Sequence, residues 1–563
     1  MRLRFSVIIL LTACFSAVSP LLAQNPPPTA ANASHPPATL DQVIDRAILR
    51  EQQEMKSIGT YTPVVETYIQ EVQPDKEMGA VPQSDLYFLG QADFRRGVKV
   101  HSMIESSRKG SFFFWSFDPA GFLQMVFIDR GEFDRAHYNF KYAGREFLGE
   151  VRCYVFDVTP ARKARGARFV GRMWVEDQDS FIVRFNGQYA PSVNFSWKTF
   201  QNDYYLHFDS WRSNVKSGLW LPSYVYSQEL DPPVRFGIPN YKSATHLWGY
   251  QLKSGSRADE LSRILVESST AVKDEGTKHD RSPLEAQREW RHEAEDNVLD
   301  LLERNGILAP PGPVDTLLNI VVNNLVVTNN LDGQIDLRCR LLLTSNLELF
   351  SIGNTIVISR GLVDAVPDEP TLATMLAHGM ADAMNPKTYQ DQYGFSDILR
   401  LTPTEVLKRL SFRENPAEAA ENSDKAIELL KKSPYAAKLS SAGLFLKQLQ
   451  SQSKALKRLI SPQLGNQVYF AQQLLQAAPA LDPSNKTQIT ALPMGSRIKI
   501  DSWSATATLL KSKPTNLFSP RDKMPFEITP LVPYLTRYTE STAIPPAESP
   551  SAQTAAEPPT LNP

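Results

Sequence analysis

Cysteine, histidine and net charge are all scarce in this chain. Three cysteines in 563 residues, at positions 14, 153 and 339, rule out a small fold held together by disulfides. Cys153 and Cys339 fall in different expected domains, so they are predicted to be free thiols or to form at most one interdomain bridge. A formal net charge of -1, from 60 basic and 61 acidic side chains, provides no global field for nucleic acid or an anionic membrane. Beyond the N-terminus no apolar run approaches the roughly 18 residues that a membrane-spanning helix needs. Gly-x-Ser-x-Gly and glycine-rich phosphate loops are also missing, which argues against an esterase elbow and against nucleotide chemistry. The 8 histidines include only one after His292, namely His378.

What is present divides the chain into stretches of different texture. Arg2 and Arg4 precede an apolar run from Phe5 to Leu22, the layout of an export signal over residues 1–23 with cleavage after Ala23. Leu11-Thr12-Ala13-Cys14 offers an alternative, a lipidated Cys14, and membrane association is expected only in that case. Residues 24–38 read as a flexible lead-in. Thr39 and Gln42 fit a capping box for a helix whose apolar face carries Leu40, Val43, Ile44, Ala47 and Ile48. Up to residue 253 the sequence is rich in short β segments separated by turn residues, among them Ser111–Phe117, Gly121–Ile128, Val151–Val158, Phe169–Glu176, Phe181–Phe185, Tyr204–Trp211 and Leu219–Gln228. Many short strands with little helix between them predict an antiparallel sheet that curls. A charged linker and helix over 254–297 leads to a mainly helical domain with a small sheet over 298–450, a mixed extension over 451–540 and a disordered tail over 541–563. The fold class is therefore α+β.

The chemistry concentrates at His378-Gly379-Met380-Ala381-Asp382. A zinc peptidase helix carries His-Glu-x-x-His, because positions i and i+4 share a helix face and the intervening glutamate acts as base on the metal-bound water. Here Gly379 occupies the general-base position and Asp382 the second histidine position, so no catalytic residue is assigned. Upstream, Thr355, Ile356, Val357, Ile358 and Ser359 form a β-branched run that reads as a strand. Asp368 caps the following helix, Pro370 suits its first turn, and Asn385-Pro386 stops it. Glycine within that helix costs about 1 kcal/mol relative to alanine, with no visible return in the sequence.

This order resembles the HtpX-like zinc metalloendopeptidases, sharing Gly361, Leu362, Asp368, Glu369, Leu372, Ala373, Leu376, Ala377 and His378 with their strand, turn and active helix. The resemblance implies a zincin-like domain in which Thr355–Ser359 is an edge strand that receives a peptide. It also implies that any metal would rest on His378, Asp382 and a later acidic residue, Glu418, with zinc as the ion if the degenerate site still binds one. The expectation is no cofactor. The hairpin Gly171–Glu176 and Phe181–Phe185, with Phe147–Gly149 and Cys153–Phe156 before it, resembles LolA-like lipoprotein carriers. That resemblance implies a helix-plugged half-barrel over residues 39–253. The aromatic residues 112–117 are expected to serve a sheet core rather than a lipid groove. Taken together, the expected function is an exported pseudopeptidase of a bacterial periplasm or cell envelope, binding polypeptide or lipoprotein and no nucleic acid. An active metalloendopeptidase with an altered site, or a lipid or lipoprotein carrier acting through the first domain, is the alternative.

Overall fold

The computed structural model describes residues 39–75, 79–104, 122–161, 168–190, 206–229, 240–250, 283–385, 407, 410–461, 463–480, 498–501, 506–509, 526, 528 and 530–538. The export signal, Cys14, the aromatic run 112–117 and the tail 541–563 lie outside them.

The first helix, α1 (Leu40–Ser57), begins where its capping box places it. The Thr39 hydroxyl accepts from the Gln42 amide, and the Gln42 side chain accepts from the Thr39 amide. Its apolar stripe of Val43, Ile44 and Ala47 is buried. Ten strands follow: β1 (Val64–Asp75), β2 (Gly79–Asp93), β3 (Lys99–Ser102), β4 (Tyr138–Leu148), β5 (Val151–Pro160), β6 (Arg168–Glu176), β7 (Ile182–Ala190), β8 (Leu206–Lys216), β9 (Leu219–Glu229) and β10 (Asn240–Trp248). They form one antiparallel sheet in the order β3-β2-β1-β10-β9-β8-β7-β6-β5-β4. The sheet is open, with β3 at one end and β4 at the other. Residues 122–128, expected as strand, instead contain a 3-10 turn at Leu123–Val126. A short apolar run does not distinguish the two, because both bury the same side chains.

Strand alternation gives the sheet two buried faces. On one, Val65, Phe156, Met173, Val175, Phe185, Leu221 and Leu247 pack with the apolar stripe of α1. Arg212 fastens that helix: its guanidinium donates to Glu51 at 2.7 and 2.9 Å and to Glu54 at 2.7 Å, with all three side chains buried. On the other face, Val64, Tyr68, Tyr87, Trp174, Trp211, Trp220, Tyr224 and Tyr226 share a core with the second half of the chain. Polar groups on that face also have partners there. Glu66 accepts from the Ser345 amide and hydroxyl, each at 2.6 Å, and Asp85 accepts from the amides of Arg458 and Leu459. Gln70 accepts from the Ile528 amide, and Arg537 reaches Glu176 at 2.9 Å. Over its central strands both faces of the sheet are thus covered by the chain's own residues.

The second half begins with α2 (Pro283–Arg304) and α3 (Pro313–Thr328). A small sheet of β11 (Arg338–Leu342), β12 (Leu349–Ile352) and β13 (Thr355–Ser359) follows, then α4 (Arg360–Ala365) and α5 (Glu369–Met384). Beyond them lie α6 (Pro416–Lys431), α7 (Leu439–Gln452), α8 (Lys457–Ile460), α9 (Gln472–Ala477) and the hairpin β14 (Ile498–Asp501) and β15 (Thr506–Leu509). The architecture is mixed α+β. Cys153 and Cys339 are free and buried, and burial pushes both thiols up to about 12. Among the described residues no helix is long and apolar enough to cross a membrane.

Candidate functional site

The helix that carries His378 starts as its sequence indicates. Asp368 caps α5 by accepting from the Thr371 amide at 2.9 Å, Pro370 sits in the first turn, and Asn385 follows the last residue. Its environment is unlike that of a catalytic helix. Every residue from Ala373 to Asp382 is buried, so the helix is enclosed around its whole circumference rather than opening one face to solvent. It packs on β12 and β13, on α6 and on α7.

Gly379 faces the small sheet. A Cβ added there would lie 2.6 Å from Ile356 Cγ2 and 3.4 Å from Leu349 Cδ1, and Ile356 is fully buried. Such a contact is shorter than real Cβ atoms tolerate, so α5 approaches β13 this closely only because position 379 lacks a side chain. The sequence offers no return for a mid-helix glycine; the structure supplies one in helix-on-sheet packing. A carboxylate has no room at the base position.

The expected metal ligands are used elsewhere. The His378 ring stacks on Phe470, with centroids 3.6 Å apart and planes inclined by 16°, and its Nε2 lies 3.6 Å from Glu414 Oε2. Both side chains of that pair are buried. Asp382 Oδ2 accepts from the Ser351 amide at 3.1 Å and the Ser351 hydroxyl at 2.5 Å, while Oδ1 accepts from Asn422 at 3.3 Å. It therefore ties β12, α5 and α6 together. Glu418 belongs to the capping box of α6, where it accepts from the Asn415 amide at 3.2 Å. His378, Asp382 and Glu418 are not gathered into a group. Among the described residues no set of three His, Cys, Asp or Glu side chains is placed to hold a metal. With a phenyl ring over the imidazole and the carboxylates engaged, the donor set does not fit zinc, which needs an accessible tetrahedral shell.

The peptide-binding edge strand requires a second correction. Thr355, Ile356, Val357, Ile358 and Ser359 form the central strand of the small sheet, paired parallel to β11 and antiparallel to β12, with all five residues buried. Their ladder groups are committed on both sides, so no peptide can add there. The sequence shows the strand but not its neighbours, because β11 reaches it from 17 residues upstream in register, Arg338 opposite Thr355. Glu414 and Phe470, the residues that meet His378, carried no signal at all: they lie 36 and 92 positions downstream, outside any motif.

Beside Asp382 opens a cleft of about 260 Å³, with Arg288, Arg291 and His292 of α2 on one wall and Ser351, Gly353 and Asp382 on the other. Gly353 has φ +55°, and the Glu295 carboxylate occupies the space its Cβ would need. Burial raises the Glu295 carboxyl above its ordinary range, opposed by His292, whose Nδ1 lies 3.3 Å from it.

Among the described residues the longest exposed backbone edge belongs to the first sheet. Strand β4 (11 residues) pairs, among the described residues, with β5 alone, and most of its residues are exposed or half-buried, including Tyr142 at 40% and Phe147 at 68%.

No protein-family model matches this chain. No curated protein matches it either. Among solved structures, the chain is similar to a DUF1329 family protein from Desulfovibrio piger at 12% identity, over 39% of this chain and 95% of that one, with a TM-score of 0.18.

Proposed function

We propose that this chain is an exported pseudopeptidase, a protein of the cell envelope that binds extended polypeptide or lipoprotein segments without cleaving them. The observation that carries this reading is the contact at Gly379: its Cβ position lies 2.6 Å from Ile356, so the glutamate of a zinc peptidase is both absent and sterically excluded. The covered His378 ring supports the same conclusion. The active-enzyme alternative loses support with each of these contacts. Carriage of acyl chains is disfavoured too, because α1 and residues 123–133 pack on one face of the central strands and the second half of the chain packs on the other.

The binding surface moves with the strand assignment. Strand β4 replaces Thr355–Ser359 as the place where a peptide can add by main-chain hydrogen bonds. Its irregularity between Tyr142 and Gly144 and its charged Lys141 and Arg145 are the devices that keep a free edge from pairing indiscriminately. The HtpX-like and LolA-like resemblances belong to this reading as ancestry of the two halves.

Hydrogen–deuterium exchange of the full chain with reduced casein as the probe tests it. Slower exchange concentrated in residues 138–148, with intact casein, is the expected result. Chelator-sensitive casein fragments, or protection confined to other segments, would refute it.

A further inference from the structure

The exposed edge of the large sheet has a side-chain order that its register with β5 makes explicit. Lys141 stands opposite Asp157, Tyr142 opposite Phe156, Gly144 opposite Val155, Arg145 opposite Tyr154 and Phe147 opposite Arg152. Residues directly opposite each other share a face of a sheet. The irregularity between Tyr142 and Gly144 adds one residue to β4. Tyr142 and Arg145, three apart in sequence, therefore come to the same face, the one on which Phe156 packs with α1. Phe147 follows on that face two residues further, and Lys141 lies on the other.

The charges along this edge do not balance. Asp157, the carboxylate opposite Lys141, pairs with Arg172 at 2.9 Å, and Glu146 accepts from Trp174 Nε1 at 2.8 Å. Arg152 of the neighbouring strand pairs with Asp177 at 2.8 Å. Lys141 and Arg145 are left without an acidic partner among the described residues. The Arg145 guanidinium lies 4.9 Å from the centre of the Tyr154 ring instead, a contact that holds the side chain and leaves its charge uncompensated. Each face of the edge thus presents one surplus cation, and exposed Tyr142 and Phe147 flank the one on the α1 face.

We propose that, on the reading that a peptide adds to β4, this edge selects extended segments with two acidic residues three positions apart and apolar residues to meet Tyr142 and Phe147. The spacing follows from the irregularity. Strand β5 spans the stretch from Lys141 to Arg145 with Asp157 to Tyr154, three steps rather than four. A guest strand as regular as β5 does the same, and its two acidic side chains, an odd number of steps apart, fall on opposite faces, one at each cation. Charges that keep a wrong partner off a free edge by repulsion admit one of opposite sign, so Lys141 and Arg145 both exclude and select.

Fluorescence anisotropy of the full chain with labelled valine–threonine peptides about ten residues long tests the selection. One peptide carries two glutamates three apart, one carries them two apart, and one carries two lysines three apart. At low ionic strength the first is expected to bind about five- to tenfold tighter than the lysine peptide and about two- to threefold tighter than the second, with both differences shrinking as salt is added. Lys141→Gln with Arg145→Gln is expected to remove the preference, and Lys141→Glu with Arg145→Glu to reverse it. Hydrogen–deuterium exchange of each complex separates charge selection from strand addition. Protection of residues 138–148 with equal affinity for glutamate and lysine peptides, or with a preference that survives the glutamine pair, would overturn the selection and leave strand addition standing. Binding without that protection would overturn both.

Discussion

Gly379→Glu, the change that restores the glutamate of a zinc peptidase helix, is expected to lower the stability of the chain by about 1–5 kcal/mol and to yield no protease. Two costs combine. Any Cβ at this position meets Ile356 Cγ2 at 2.6 Å, and overpacking of that kind costs about 1–3 kcal/mol. The rest of the side chain then places a carboxyl group against buried Leu349 and Ile356 without a partner, which costs a further 1–3 kcal/mol or so. Helix propensity works in the opposite direction, by roughly 1 kcal/mol for alanine over glycine, and is too small to compensate. Denaturant unfolding of Gly379→Ala, Gly379→Glu and each combined with Ile356→Ala checks the mechanism. The penalty should shrink when Ile356 is truncated, because the two positions touch and their effects couple. Equal penalties with and without Ile356 would show that the helix does not rest on that side chain.

Arg212→Ala carries the other large effect, a loss of about 3–5 kcal/mol at neutral pH. The guanidinium is the bridge between α1 and the sheet, and its removal leaves Glu51 and Glu54 facing each other in a buried space. Burial already holds the Glu54 carboxyl well above its usual range, and Arg212 is the chief influence drawing it down. The direction of the pH dependence follows. A carboxyl whose folded-state pKa is raised binds its proton more tightly when folded, so its contribution favours the folded state at low pH and is lost as pH rises through that pKa. The deficit of Arg212→Ala should therefore be greatest near neutrality and diminish as the solution is acidified towards the ordinary glutamate range. Denaturant midpoints measured across that interval check it. Replacing all three residues together, with Arg212→Met, Glu51→Leu and Glu54→Leu, should cost far less than removing the arginine alone, since no charge is left buried.

Local signals in the sequence were legible wherever the partner lies within a few residues. The Thr39 capping box, the Asp368 cap with Pro370 behind it, and the hairpin around Gly171–Phe185 all involve neighbours in the chain, and each stands where the residues indicate. What the sequence did not show depends on distant partners. A mid-helix glycine looks like a defect until Ile356 is found against it. Thr355–Ser359 looks like an edge strand until β11 arrives on its far side. Glu66 and Asp85 carry no signal in the sequence, yet they are buried, because the second half of the chain brings Ser345 and the amides of Arg458 and Leu459 to them. The candidate metal triad fails for the same reason: Glu418 lies on a later helix but out of the register the resemblance asks for, and its own N-terminal cap consumes it, while Glu414, just outside that helix, is the acid that meets His378.

The central claim is that α5 serves as packing rather than as a metal-bearing helix, and zinc stoichiometry tests it most directly. The purified full chain, incubated with excess zinc and then passed through a desalting column, should retain no metal that depends on His378, so that wild type and His378→Ala give the same low zinc content. One zinc per chain in the wild type, lost in His378→Ala, would contradict the account.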